Sequence, residues 1–186
     1  MIGQAFGSTL DAARDGEPSA LEALYRDLAP AVLGYLRGQR AAEPEDLASE
    51  VFVGMVRGLE GFRGDEGGFR SWVFSIAHRR LIDERRRLAR RREESVDPSD
   101  LAGRLAGAAM GDAEDEAVAR LGRGWAVRTL DVLTDDQRSV LLLRILADLS
   151  VEDVARLLGK RPGAVKTLQR RALASLARHL ERQGVS

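Results

Sequence analysis

Residues 150–176 read SVEDVARLLGKRPGAVKTLQRRALASL, two short helical patterns separated by a glycine and a proline. Val151, Val154, Leu157 and Leu158 recur at helical spacing, Ser150 with Asp153 three residues on is a helix-start signal, and Gly159 supplies the stop. Pro162 suits the first turn of a second helix, where its missing N–H costs nothing. Val165, Leu168, Ala172 and Leu176 then form one narrow apolar stripe. At about 100° per residue, Lys166, Thr167, Arg170 and Arg171 point away from that stripe. The pattern predicts a helix-turn-helix: its apolar back holds the second helix down while its cationic front offers side chains to phosphates and guanine edges. The plainer reading of the same stretch is an amphipathic surface hairpin with a solvated basic face.

The charge distribution favours the first reading. The 186-residue chain has 29 basic and 29 acidic side chains, but they are not mixed evenly. Residues 1–78 carry a balance of −5, residues 79–92 of +6, residues 93–118 of −7 and residues 119–186 of +6. One basic run is readily explained as a solvated face. Two, each attached to an amphipathic helix, fit a protein that touches nucleic acid at two places and keeps acidic surface for other partners.

The length allows one large or two small domains. No cysteine is present, so disulfides, thiolate zinc sites and thiol redox sensing are excluded together. There is no run of eighteen apolar residues to span a membrane, and the N-terminal MIGQAFGSTLDAARDGE lacks a basic leader before an apolar core. The expectation is a cytoplasmic protein without membrane insertion.

The predicted fold is all-α, two small helical domains joined by a flexible acidic linker. Leu21, Leu24, Leu28, Val32, Leu33 and Leu36 mark early helices, with Pro30 just inside the start of one. Leu47, Val51, Phe52, Met55, Val56 and Leu59 mark the next. A Gly-rich break, GFRGDEGGF at 61–69, precedes a long helix with Trp72, Val73, Ile76, Leu81 and Ile82 as its apolar surface. Residues 93–118 hold Gly, Asp, Ser and a Pro but few large apolar side chains, which reads as a linker. Beyond it come a helix around Trp125 to Leu133 and a capping box, Thr134 to Gln137, opening the helix that carries Val140 to Leu146. The domains are therefore 1–92 and 119–186, with 93–118 between them; how they sit relative to one another is not readable from spacing.

Several strings, in order, resemble the sigma factors of bacterial RNA polymerase, in particular the small extracytoplasmic-function class of the sigma-70 family. PEDLASEVF (44–52) is similar to the acidic segment of the helix that grips the polymerase clamp. FRSWVFSIA (69–77) followed by LIDERRR (81–87) is similar to the helix that engages the −10 promoter element. LTDDQRSVLLLR (133–144), LSVEDVARLLG (149–159) and GAVKTLQRRA (163–172) resemble the domain that reads the −35 element. Each string alone is weakly specific, and the ordered set covers nearly the whole chain.

The resemblance implies the partners and the contacts. Core polymerase, through its β′ and β subunits, would meet Glu45, Asp46, Glu50 and Val53, with help from Val53 or Val56 as apolar contacts. Asp46 and Glu50 share a helical face four residues apart, a like-charge spacing that a basic partner would relieve. The alternative for this helix is a solvated acidic face over a core stripe of Val51, Phe52 and Met55. The −10 element would meet Phe62, Arg63, Phe69, Trp72, His78, Arg79, Asp83, Arg86 and Arg87. Basic charge gives phosphate contacts, but melting needs unpaired bases captured by stacking, for which the loop from Phe62 to Phe69 is the predicted pocket. The −35 element would meet Arg161, Gly163, Ala164, Lys166, Thr167, Arg170 and Arg171.

The chain departs from the family pattern in three places: His78-Arg79 stands where many relatives have Arg-Asn, Ser49 where a glutamine is usual, and Ala164 where a threonine is frequent. The first bears on −10 specificity. No catalytic motif is present, and the acids of GDEGG match no metal-site spacing, so neither catalytic residues, metal nor cofactor is expected. Family members are commonly held by an anti-sigma factor, which the resemblance adds as a partner. The competing function is a stand-alone helix-turn-helix regulator with an N-terminal helical interaction domain; it leaves the basic helix over 79–92 and its preceding aromatics without a purpose.

Overall fold

The computed structural model describes residues 2–94 and 129–184, and among them every regular element is helical. The linker expected over 93–118 falls almost entirely outside the described residues, as does most of the helix expected from Trp125 to Leu133. Of that helix, the structure describes a 3-10 turn at Leu130–Val132.

Four helices make the N-terminal part: α1 (Phe6–Arg14), α2 (Pro18–Gly38), α3 (Pro44–Gly58) and α4 (Glu66–Glu94). The stripe of α2 buries Leu24, Leu28, Val32, Tyr35 and Leu36, α3 buries Leu47, Val51, Phe52 and Met55, and α4 buries Phe69, Val73, Phe74, Ala77 and Leu81. Three- and four-residue steps keep each set on one face, so the helices close on a shared core. Phe6 against Phe69 and Tyr35 against Phe74, with ring centroids 5.5 and 5.7 Å apart, tie the helices through tilted and edge-on ring contacts.

Two local expectations need correction. Pro30 does not start a helix: it lies inside α2, whose first turn is occupied by Pro18. Pro30 and Arg26, whose carbonyl loses its helical donor, both face the exposed side, where water can replace that bond. The Gly-rich break is also shorter than expected. Asp65 Oδ1 accepts from the Gly68 N–H at 2.7 Å and the Asp65 carbonyl accepts from the Phe69 N–H at 2.9 Å, so Gly67 and Gly68 are drawn into the first turn of α4.

The C-terminal part contains α5 (Asp135–Ile145), α6 (Val151–Leu158) and α7 (Pro162–Arg182). Its boundaries follow the sequence signals. Thr134 and Gln137 form a reciprocal capping box, the Ser150 hydroxyl accepts from the Asp153 N–H at 3.0 Å, Gly159 ends α6 in the left-handed region at φ 63°, and Pro162 opens α7. Val140, Leu143, Val154 and Val165 are buried on the inner faces, while Leu133, Leu141 and Ala172 form a smaller cluster.

The two parts are packed together. Gly34 and Gly38, one turn apart on α2, leave a shallow groove that receives Leu146 and Leu142 from the end of α5; a Cβ on Gly38 would stand 2.8 Å from Leu142 Cδ1, and one on Gly34 3.2 Å from Leu146 Cδ1. Polar contacts flank this groove. Arg85 Nη2 donates to Gln39 Oε1 (3.2 Å), and Gln39 Nε2 donates to the Ser139 hydroxyl (2.8 Å), with Gln39 and Ser139 both buried. Arg70 donates to Asp27 Oδ2 (2.8 Å) and to the Ala147 carbonyl (3.2 Å), and Arg40 pairs with Asp131 at the rim.

Candidate nucleic-acid interface

On α4 the steps from Trp72 to Ser75, His78, Asp83 and Arg86 keep those side chains along one side of the helix. Arg79 and Ile82 complete that side, which forms one wall of a cavity of about 570 Å³. The opposite wall is α6, through Asp153, Arg156 and Leu157. Arg79, Arg86 and Arg87 are exposed, so the cationic end of the helix remains open to solvent beside the cavity.

The aromatic group at the start of α4 is built as a unit. Phe62 stacks on Trp72 with centroids 5.3 Å apart and planes at 28°, and stands edge-on to Phe69 at 5.2 Å. The Trp72 ring lies so close over Gly58 that a Cβ there would be 2.6 Å from Trp72 Cζ2. Phe69 is only 1% exposed, between Phe6 and Phe62, so the geometry gives it a supporting place in the core and not the surface place expected of it. Arg63 is exposed and folded back, its Nη1 donating to the carbonyls of Glu60 (2.5 Å) and Phe62 (2.7 Å). Glu66 accepts from the N–H groups of Ile2 (2.6 Å) and Gly3 (3.0 Å), which ties the N-terminus to the same corner.

His78 has a partner that spacing did not reveal. Its Nδ1 lies 2.8 Å from the hydroxyl of Tyr35, a residue with no exposed surface. Burial pushes the Tyr35 phenol far above its usual range, with Arg85 opposing more weakly, so the O–H is retained. Burial, and then the charge of Arg85, hold His78 below its ordinary value and therefore neutral at pH 7. Among the described residues that hydroxyl makes no other bond, so it donates to Nδ1 and leaves the hydrogen on Nε2. Tyr35 could have been suspected from sequence only as a polar tip within the apolar stripe of α2.

The helix-turn-helix presents its cations freely. Val165 and Ala172 are fully buried, while Arg161, Gly163, Ala164, Lys166, Arg170 and Arg171 are all exposed. Thr167 is half-buried, and its hydroxyl donates back to the Gly163 carbonyl at 2.9 Å, leaving only acceptor capacity outward. Lys160 in the turn is held by Asp136 at 2.8 Å.

The acidic helix α3 forms a third surface. Glu45 is paired with Arg37 at 2.6 Å, and that hydrogen bond holds its carboxyl below the usual range against a weaker opposing effect of burial. Glu50 lies 3.6 Å from Arg80, whereas Asp46 makes no ion pair among the described residues. Val53 and Val56, each 49% exposed, extend the same side of α3, and Tyr25, 50% exposed, sits edge-on to Phe52 beside it. The Val51, Phe52 and Met55 stripe is buried, so α3 has both a core face and an outward acidic and apolar face.

Comparison with known proteins identifies both halves. Residues 24–91 match the model of Sigma-70 region 2, and residues 123–176 that of Sigma-70 region 4. The extracytoplasmic-function RNA polymerase sigma factor ShbA of Streptomyces griseus is 30% identical over 177 residues, covering 91% of this chain and 92% of the relative. The sigma factor BldN of Streptomyces coelicolor is 32% identical over 177 residues, covering 92% and 64%. The fold is that of CnrH, solved in complex with the cytosolic domain of CnrY, at a TM-score of 0.66, 22% identity and coverage of 96% and 99%.

Proposed function

The chain belongs to the sigma-70 family of RNA polymerase sigma factors, in its extracytoplasmic-function class, and from that premise we propose how its surfaces divide the work of transcription initiation. The outward face of α3, with Glu45, Asp46, Glu50 and Val53, docks on core polymerase. The α4 face, from Phe62, Arg63 and Trp72 through His78, Arg79, Asp83, Arg86 and Arg87, binds the −10 element and the opened strand; Phe69 supports the aromatic corner from beneath. Arg161, Gly163, Ala164, Lys166, Thr167, Arg170 and Arg171 bind the −35 element. Residues 1–92 act as the core-binding and −10 unit, 93–118 as a linker and 119–186 as the −35 unit. The protein works in the cytoplasm as a binding subunit and not as an enzyme, and an anti-sigma factor is its proposed inhibitor.

The observation that carries this reading is the α7 surface: four cations and two small residues exposed on the side opposite fully buried Val165 and Ala172. A helix so held has its free face shaped for a major groove. Size-exclusion chromatography with bacterial core polymerase tests the reading. The protein should comigrate with core, and Asp46→Arg with Glu50→Arg should abolish comigration. Duplex binding by the free protein without comigration would instead favour the stand-alone regulator.

A further inference from the structure

We propose that Tyr35 is a positioning residue for promoter recognition. Through its bond to His78 it fixes that imidazole as a hydrogen-bond donor on the −10 face, which selects a base with a keto oxygen, thymine or guanine, over one with an amino group, cytosine or adenine. The inference rests on the sigma-factor reading above. The two nitrogens of an imidazole lie on opposite edges of the ring, and in the neutral form one donates while the other accepts. Nδ1 of His78 is turned inward, 2.8 Å from the Tyr35 hydroxyl, while the half-buried ring lines the cavity beside α4 together with Ser75, Arg79 and Asp83. Its Nε2 makes no hydrogen bond among the described residues.

The packing leaves the pair no freedom to reverse. The Tyr35 ring is fully buried and stands edge-on to Phe74 with centroids 5.7 Å apart, and Ala77, next to His78, is fully buried as well. Were Nδ1 to donate, the buried phenol hydrogen would have no acceptor, since among the described residues the hydroxyl bonds only His78. Leaving such a group unpaired costs more than a made bond contributes. The phenol therefore donates, Nδ1 accepts, and the Nε2–H is left for whatever approaches the α4 face. Its neighbours do not take it up. The Ser75 hydroxyl is bonded to the Trp72 carbonyl at 2.6 Å, Arg79 and Arg86 have only donors to offer, and Asp83 makes no bond to the ring. On an unpaired base, O4 of thymine and O6 of guanine accept such a bond. N4 of cytosine and N6 of adenine carry hydrogens at the same ring position and would set donor against donor.

The experiment uses the full chain with bacterial core polymerase. Templates are selected from a pool of random duplexes by the wild-type holoenzyme, and each −10 position of a selected template is then set to every base in turn. At one position the wild type should initiate roughly 2–10-fold more on thymine or guanine than on cytosine or adenine, the worth of a single hydrogen bond. His78→Gln, whose amide can donate or accept, should bring that ratio near one. Tyr35→Phe should lower the ratio at the same position and no other, and should add nothing in the His78→Gln background. A Tyr35 with a merely structural role would lower initiation on every template alike; that result overturns the proposal, as does a ratio untouched by Tyr35→Phe. Nitrogen-15 NMR of the free chain decides the tautomer without polymerase, with His179→Gln leaving His78 as the sole histidine. A protonated Nε2 and a bare Nδ1 are expected, and a protonated Nδ1 would overturn the proposal even where Tyr35→Phe fails to fold. Recovery of no template at all would sink the sigma-factor reading, and the promoter role of Tyr35 with it, an outcome distinct from templates recovered without a keto preference.

Discussion

At the 2.8 Å contact between Tyr35 and His78, burial retains the phenol proton on one partner and disfavours the imidazolium on the other. The folded pKa of His78 lies below its ordinary value of 6.5, first through burial and then through Arg85. The unfolded chain therefore binds the proton at a higher pH than the folded one, and the His78 contribution to stability is complete above about pH 6.5 and declines as pH falls toward the folded value. Urea unfolding at pH 7.5 and 5.5 should show this decline, and His78→Gln should flatten it. Tyr35→Phe should cost about 1 kcal/mol, the net worth of one hydrogen bond, with the fold retained by circular dichroism. Neither partner is conspicuous in sequence: a tyrosine in an apolar stripe and a single histidine 43 residues later share no local spacing. Phe69 illustrates the converse, since an aromatic beside a Gly-rich loop suggests a stacking platform, whereas its 1% exposure makes it core. Only the third dimension separates Phe69 from Trp72, three residues away and half-buried at the cavity.

At the scale of the element, the signals that were legible are those whose chemistry is complete within four residues. Thr134 with Gln137, Ser150 with Asp153, and Gly159 before Pro162 fix the helix ends of the C-terminal part as spacing predicts. Thr134→Ala should destabilise the protein by about 1 kcal/mol, read as a shift in the urea midpoint at unchanged slope. At Gly159, where φ is 63° and an added Cβ meets nothing within 4 Å, alanine should cost roughly 1–2 kcal/mol from backbone conformation alone, and asparagine less. Signals that balance two tendencies were less legible. Gly67 and Gly68 look like a break, but the Asp65 cap recruits them into α4, and Pro30 looks like a start, but its solvent-facing position lets α2 continue. On α7, where the exposed face is read directly from period, Lys166→Ala and Arg170→Ala should each weaken −35 duplex binding by about 1–3 kcal/mol where the side chain reaches a base. Comigration with core polymerase should be unchanged.

For the whole molecule, the arrangement of the two halves left no readable trace, because its components carry other meanings locally. Leu142 and Leu146 scan as the core of their own helix, Gly34 and Gly38 as weak helix residues, and Gln39 and Ser139 meet across a separation of 100 residues. Yet the buried core runs without interruption from Leu24 and Val32 to Leu142 and Leu143, so the halves are coupled through apolar burial as well as hydrogen bonds. Coupled halves unfold together when the interface contributes more than the difference in their separate stabilities. The wild type should therefore give one calorimetric transition with van't Hoff and calorimetric enthalpies in agreement. Gly34→Gln with Gly38→Gln removes the interface while leaving each half its own core, so the same scan should resolve into two transitions, or into one broadened transition whose van't Hoff enthalpy falls below the calorimetric value. Replacing the Arg40–Asp131 pair at the rim by two cysteines (Arg40→Cys with Asp131→Cys) and bridging them with a short bis-maleimide should have the opposite effect, sharpening the transition and raising its midpoint, because the cross-link removes the separated states from the folded ensemble. A wild-type scan already split in two would show that the shared core does not couple the halves.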